Sequence, residues 1–232
     1  MLQIRRAEDR GHADRGWLRS HHTFSFADYH DPNFMGFRVL RVINEDYIEA
    51  GQGFPMHAHQ DMEILTYVVD GVLEHADTLG NKSRIRPGEI QRMSAGTGIR
   101  HSEFNPSADQ TTHLLQIWIL PDRKGVQPSY GQKSFTSELG TRDFTLLASS
   151  EGRDGSVTLH QDVDVYAARW SSNREAQMSW RSHRFAWLQV ITGPLTVNGS
   201  EVGSGDGLAV ANEKYLIFNS QGRAEFLLFD LP

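Results

Sequence analysis

The residues best able to do chemistry lie in two short segments of the first half. One is Gly51-Gln52-Gly53-Phe54-Pro55-Met56-His57-Ala58-His59-Gln60-Asp61-Met62-Glu63. The other is Gly96-Thr97-Gly98-Ile99-Arg100-His101-Ser102-Glu103-Phe104-Asn105. In a strand, residues i and i+2 share a face about 6.6 Å apart. His57 and His59 can therefore aim two imidazoles at one point, and His101 and Glu103 can do the same from another strand. Facing each other inside a barrel, the pairs give three nitrogens and one carboxylate oxygen. That donor set suits a divalent transition metal, with one or two positions left for water or substrate. An HxH pair alone is weak. An HxE pair within a later glycine-rich turn strengthens it.

Glu63 competes with Glu103. By parity it shares a face with His57 and His59, but in a straight strand it sits about 13 Å beyond His59. It reaches a common ion only if the chain bends near Asp61, and otherwise serves as an acceptor that orients a histidine. His12, His21, His22, His30, His75, His113, His160 and His183 read as surface or satisfied core groups. Gly96 and Gly98 allow a tight turn before His101. No helix or βαβ unit follows that Gly-x-Gly spacing, so it is not a nucleotide signal. Phe54, Met56, Met62, Met93, Phe104 and Trp118 are expected to line the barrel, some of them walling an apolar ligand pocket.

Composition narrows the alternatives. The chain has 11 histidines and no cysteine, so metal chemistry must use imidazole and carboxylate. Disulfide scaffolds, thiolate sites and thiol nucleophiles are excluded. A net charge of −6 without a basic block disfavours nucleic acid. Leu114 to Leu120 is broken by Gln116 and is too short to span a bilayer. Met1 to Gly16 has no apolar core of signal-peptide type. A soluble, cytoplasmic protein without membrane contact is expected.

Positioning those side chains requires strands. Phe37 to Ile43, Glu63 to Val69, His113 to Leu120, Phe185 to Ile191 and Glu225 to Leu231 are rich in bulky and β-branched residues. Glycine, proline and asparagine turns separate them, which indicates an all-β chain. Helices are expected only as single turns, with Thr136 to Leu139 a candidate. Tyr67-Val68-Val69-Asp70-Gly71-Val72-Leu73 resembles Gln189-Val190-Ile191-Thr192-Gly193-Pro194-Leu195, which points to two similar units. The stretch Lys124 to Ser134 reads as a connector. The expected domains are residues 1–125, carrying the metal site, and 126–232, which has neither HxH nor HxE.

These motifs resemble the cupin pattern. Gly51, His57, His59 and Glu63 fit its first part, and Gly98, His101 and Asn105 fit its second. The glycine after the glutamate comes one residue late, at Gly71, and Gly96 replaces the usual proline. The stretch His22-Thr23-Phe24-Ser25-Phe26-Ala27-Asp28-Tyr29-His30-Asp31-Pro32, with both metal segments, is more specifically similar to the pirins. That bicupin family includes bacterial quercetin 2,3-dioxygenases.

The resemblance implies two tandem cupin β-barrels with one metal in the first, held by His57, His59, His101 and Glu103. It implies Fe(II), with Cu, Zn, Ni, Mn or Co accepted. It implies a dioxygenase using O₂ on a flavonol such as quercetin. In such a reaction a carboxylate beside the metal takes the proton of the enolic hydroxyl, and Glu103 is the candidate catalytic base. A monomer is expected. The alternative is a redox-sensing regulatory protein that binds a transcription factor or metabolic enzyme, with no partner named by these residues. A third reading, an isomerase or sugar-binding cupin, fits less well. Phe54, Pro55, Met56 and Met62 beside HxH suit a flat aromatic ligand better than a polyol.

Overall fold

Short apolar runs punctuated by glycine turns form antiparallel strands throughout. The structure is a computed structural model that describes residues 1–180 and 183–232. Among those residues the helical segments are two 3-10 turns, Ala7–Asp9 and Arg153–Gly155. The segment at Thr136 to Leu139 is a hydrogen-bonded turn, not a helix. The Arg142 N–H donates to the Glu138 carbonyl at 3.2 Å, but Gly140 at φ +89° stops propagation. No described helix is long and apolar enough to cross a membrane.

The five anticipated strands form as Leu40–Ile48, Glu63–Asp70, Thr112–Ile119, Phe185–Thr192 and Ala224–Leu231. The first begins at Leu40 rather than Phe37. Arg38 takes φ +55°, and Phe37 and Leu40 exchange backbone hydrogen bonds across a tight reversal.

The chain divides into two compact units. One comprises Gly11–Thr136 with Val157–Gln161; the other comprises Met1–Arg10, Ser137–Ser156 and Asp162–Pro232. The boundary thus follows Thr136 rather than residue 125, and the first ten residues belong with the second unit. Two edge strands are responsible. Leu2–Arg5 pairs with Gly207–Ala211, Leu2 opposite Val210. Ser129–Ser134, read from its polar composition as a connector, pairs with Glu89–Ser94, Ser129 opposite Ser94. Its polarity is that of a half-exposed edge.

In the first unit the larger sheet runs Ser129–Ser134, Glu89–Ser94, Glu63–Asp70, Thr112–Ile119, Leu40–Ile48, Leu18–His22, Gly11–Asp14. The smaller runs Gly53–His59, Ile99–Phe104, Leu73–Asp77, Lys82–Ile85. Leu18, Ile48, Val68 and Leu114 of the larger sheet pack with Leu73 and Ile85 of the smaller one. This apolar cluster joins the two sheets, and each such side chain contributes about 1.5–3 kcal/mol on burial.

The second unit repeats the strand order. Its larger sheet contains Leu2–Arg5, Gly207–Ala211, Phe185–Thr192, Ala224–Leu231, Asp164–Trp170 and Thr145–Ser149. Its smaller sheet is Arg174–Ser179, Tyr215–Ser220, Leu195–Val197, Ser200–Val202. The strands topologically equivalent to the two histidine strands place Ala176, Leu216 and Phe218 in an apolar core. Phe218 stacks on Phe226 at 5.5 Å between centroids. Packed apolar side chains fill the space that histidines occupy in the first unit.

Candidate metal centre

Gly53–His59 and Ile99–Phe104 run antiparallel, with His101 opposite His57 and Ile99 opposite His59. The register then shifts, so Glu103 lies opposite Phe54. The extra residue falls at Pro55-Met56. A proline has no N–H for the ladder and is tolerated at a bulge. Gly53 permits close approach of the two strands, since a Cβ there would lie 2.1 Å from the Glu103 carbonyl oxygen. Gly96 makes the preceding turn at φ +46°, where a Cβ would meet the Val126 carbonyl oxygen at 2.0 Å.

This register gathers three histidines. One nitrogen from each of His57, His59 and His101 lies within 4.8 Å of the others. Ligand atoms about 2.1 Å from a common ion lie about 3–4 Å apart, so the set fits a metal after small side-chain adjustments. The His57 Nδ1–H donates to the Pro55 carbonyl at 2.9 Å, which leaves Nε2 with its lone pair. The Nε2 atoms of His59 and His101 are buried without a hydrogen-bond partner. Burial pushes the His59 imidazole down to about 4, with His101 and His57 adding to the shift. Burial also pushes His101 down to about 3, with His57 and His75 adding to it. Unprotonated, unsatisfied nitrogens converging at one point suit a divalent metal.

His75, read from sequence as a surface or satisfied core group, stands beside His101. It is fully buried and lies opposite Glu103 in the strand pairing. Its Nε2–H donates to the Asp77 carboxylate at 3.1 Å, and its Nδ1 lies 3.4 Å from Nδ1 of His101. Asp77 also accepts from the backbone N–H groups of Leu79 and Asn81 and from the Asn81 side chain. An alternation signal was available: His75 and Asp77 are i and i+2 on a strand.

Glu103 is buried and faces the larger sheet, accepting from Gln116 Nε2 at 2.7 Å and from the Thr66 hydroxyl at 3.4 Å. One of its oxygens groups with nitrogens of His75 and His101 within 4.8 Å. At that spacing it does not join His57, His59 and His101 in a single set; it is hydrogen-bonded to Gln116 and would reach their ion by a side-chain rotation.

Glu63 does not approach the histidines. The chain bends at Asp61, φ +48°, and the bend carries Glu63 into the other sheet. There it accepts from the Ser94 hydroxyl at 2.9 Å and the His160 backbone N–H at 3.2 Å. Burial raises its pKa. It orients no histidine of the centre.

The centre opens on a cavity of about 360 Å³. Its lining includes His57, His59, Glu103, Phe26, Phe54 and Trp118. The Trp118 and His59 rings meet edge to face, 4.9 Å between centroids. Met56 also lines the cavity, whereas Phe104 is exposed and Met62 and Met93 pack in an apolar cluster behind Trp118.

One wall is polar. Ser20 stands opposite Asp46, and His22 opposite Asn44, on adjacent strands. The Ser20 hydroxyl donates to Asp46, and His22 Nδ1–H donates to Asn44 Oδ1 at 2.8 Å. Burial raises the Asp46 pKa to about 7; the Ser20 bond opposes the shift, and Glu103 and Glu45 add to it. The sequence signal was present in Asn44 and Asp46 alternating inside an apolar run.

The Pirin family model matches residues 3–119, and the quercetinase C-terminal cupin domain matches residues 146–231. A quercetin 2,3-dioxygenase of Escherichia coli (strain K12) is 50% identical over 234 residues, covering 100% of this chain and 99% of that protein. A pirin-like protein of Caulobacter vibrioides is 40% identical over 221 residues, 95% of each chain. The crystal structure of YhhW from Escherichia coli superposes with a TM-score of 0.96 at 50% identity, covering 100% of this chain and 98% of that one. The nickel(II) complex of the bacterial pirin YhhW gives 0.95 at 49% identity, covering 100% and 99%. Alike from end to end in sequence and in both cupin domains, the chain belongs to the pirin family.

Proposed function

We propose that this protein is a metal-dependent dioxygenase acting on a flavonol of the quercetin type, with iron(II) held by His57, His59, His101 and Glu103. The observation that carries the reading is the pair of orphaned, buried Nε2 atoms on His59 and His101, beside a cavity walled by aromatic side chains. The name of the relative from Escherichia coli, 50% identical over the full length, supports the substrate class.

The metal, when bound, supplies Lewis-acid polarisation of an enolic hydroxyl and an open position for substrate. Glu103 accepts the proton of that hydroxyl. Gln116 and Thr66 hold its carboxylate in orientation. Phe26, Phe54 and Trp118 present flat apolar surface to the substrate rings and keep bulk water from them. His57 is fixed through Pro55, and His101 through His75, so both enter the site pre-oriented.

The test is oxygen uptake together with loss of the flavonol absorption band, on iron-loaded and copper-loaded samples, beside metal analysis of freshly purified protein. Turnover with iron supports the reading. Quercetin left unchanged by both samples rejects it.

A further inference from the structure

We propose that Ser20 and Asp46 form a hydroxyl-binding subsite on the cavity wall, which accepts an aryl hydroxyl of the substrate remote from its metal-chelating oxygens. The proposal rests on the flavonol reading above and deepens it. The class it selects is an aromatic substrate with a further ring hydroxyl.

Register builds the subsite. Leu18–His22 and Leu40–Ile48 are adjacent, and the Ser20–Asp46 pair lies beside the His22–Asn44 pair on one wall. All four side chains are buried. Along the same strands, Leu18 and Ile48 belong to the apolar cluster between the two sheets. A patch with no role beyond packing would continue that cluster.

The second observation is an unused oxygen. Asp46 is 3% exposed. Among the described residues its side chain accepts one hydrogen bond, from the Ser20 hydroxyl to Oδ1. Oδ2 has no protein donor, and because Asp46 lines the cavity that oxygen is left for a ligand or water. The residue lines the same cavity as His57, His59 and Glu103, so a ligand seated at the metal centre reaches it without leaving the cavity. A phenolic O–H meets the requirement. It donates to Oδ2 when the carboxyl is ionised and accepts from Oδ2–H when it is protonated, and its ring fits the aromatic walls. An aliphatic ammonium would need the charged form of a group that burial drives toward neutrality.

The test uses zinc(II)-loaded protein without oxygen, so that binding is read without turnover. Quercetin is compared with 3-hydroxyflavone, which keeps the chelating pair and lacks every other hydroxyl. Binding is followed by tryptophan fluorescence. The wild type is expected to bind quercetin about tenfold to a hundredfold more tightly, the range of one hydrogen bond to a carboxylate. Asp46→Leu should bring the two affinities together by weakening quercetin alone, and Ser20→Ala should narrow the gap in part. In the unaltered protein, quercetin but not 3-hydroxyflavone should shift the Asp46 side-chain carboxyl carbon resonance. Equal affinities in the wild type, an unchanged preference in Asp46→Leu, or no resonance shift would overturn the subsite and leave the flavonol reading standing. Failure of both flavonols to bind the wild type would overturn both.

Discussion

Nδ1 of His101 lies 3.4 Å from Nδ1 of His75, and the far nitrogen of His75 donates to Asp77. This arrangement selects tautomers. Asp77 accepts, so His75 carries its hydrogen on Nε2 and presents a lone pair at Nδ1. His101 must then donate from Nδ1, which leaves its Nε2 lone pair pointing toward His57 and His59. A hydrogen-bonded partner behind a ligating histidine fixes ring orientation and raises basicity.

His75→Leu should therefore weaken metal binding by about tenfold to a hundredfold. Asp77→Asn should have a smaller effect, since an amide oxygen still accepts from His75. Chelator competition followed by metal analysis measures both. Affinity equal to wild type in His75→Leu would show that His101 needs no such partner.

His101→Ala should abolish metal retention and turnover together. Glu103→Gln separates the two roles assigned to that residue. It should lower turnover by about 10²–10⁴-fold, the range for a lost general base, while three histidines still retain an ion of reduced affinity. Turnover at the wild-type rate in Glu103→Gln would remove Glu103 as the base.

Asp46 gives the metal-free protein a pH-dependent stability. Burial lifts its pKa from 3.8 to about 7 in the folded state. Between those values the folded protein holds a proton that the unfolded chain has released. Stability therefore falls as pH rises through that window, by at most about 1.4 kcal/mol per unit, and levels off above and below it. Asp46→Asn lacks this dependence. Urea unfolding at several pH values should show the variant gaining on the wild type from pH 4 to 7. Parallel profiles would refute the assignment.

Gly53→Ala should destabilise the centre without touching a ligand. Its Cβ would lie 2.1 Å from the Glu103 carbonyl oxygen and 2.6 Å from Phe104 Cα. Both are backbone atoms, so the two strands must part. A loss of about 1–3 kcal/mol is expected, readable as a lower urea midpoint, with weaker metal binding. An unchanged midpoint would mean that the bulge absorbs the methyl group.

Much of this protein is written in local pattern. Period-two alternation and glycine turns determined the all-β class, the presence of two similar units and the placing of His57 with His59 on one face. The HxH and HxE spacings also singled out His57, His59, His101 and Glu103 as candidates, because a strand displays i and i+2 together whatever surrounds it. Pattern did not reveal which chain segments complete each unit. Leu2–Arg5 and Ser129–Ser134 find their sheets through long-range edge pairing, which leaves no local trace. Nor did it settle the competition between the two glutamates. That outcome depends on the Asp61 bend, which sends Glu63 to the opposite sheet. His75, Asp77 and the Ser20–Asp46 wall likewise acquire meaning only once three strands and a facing sheet bring them to the same cavity or the same imidazole. Register is a property of pairs of strands, and tertiary packing alone decides it.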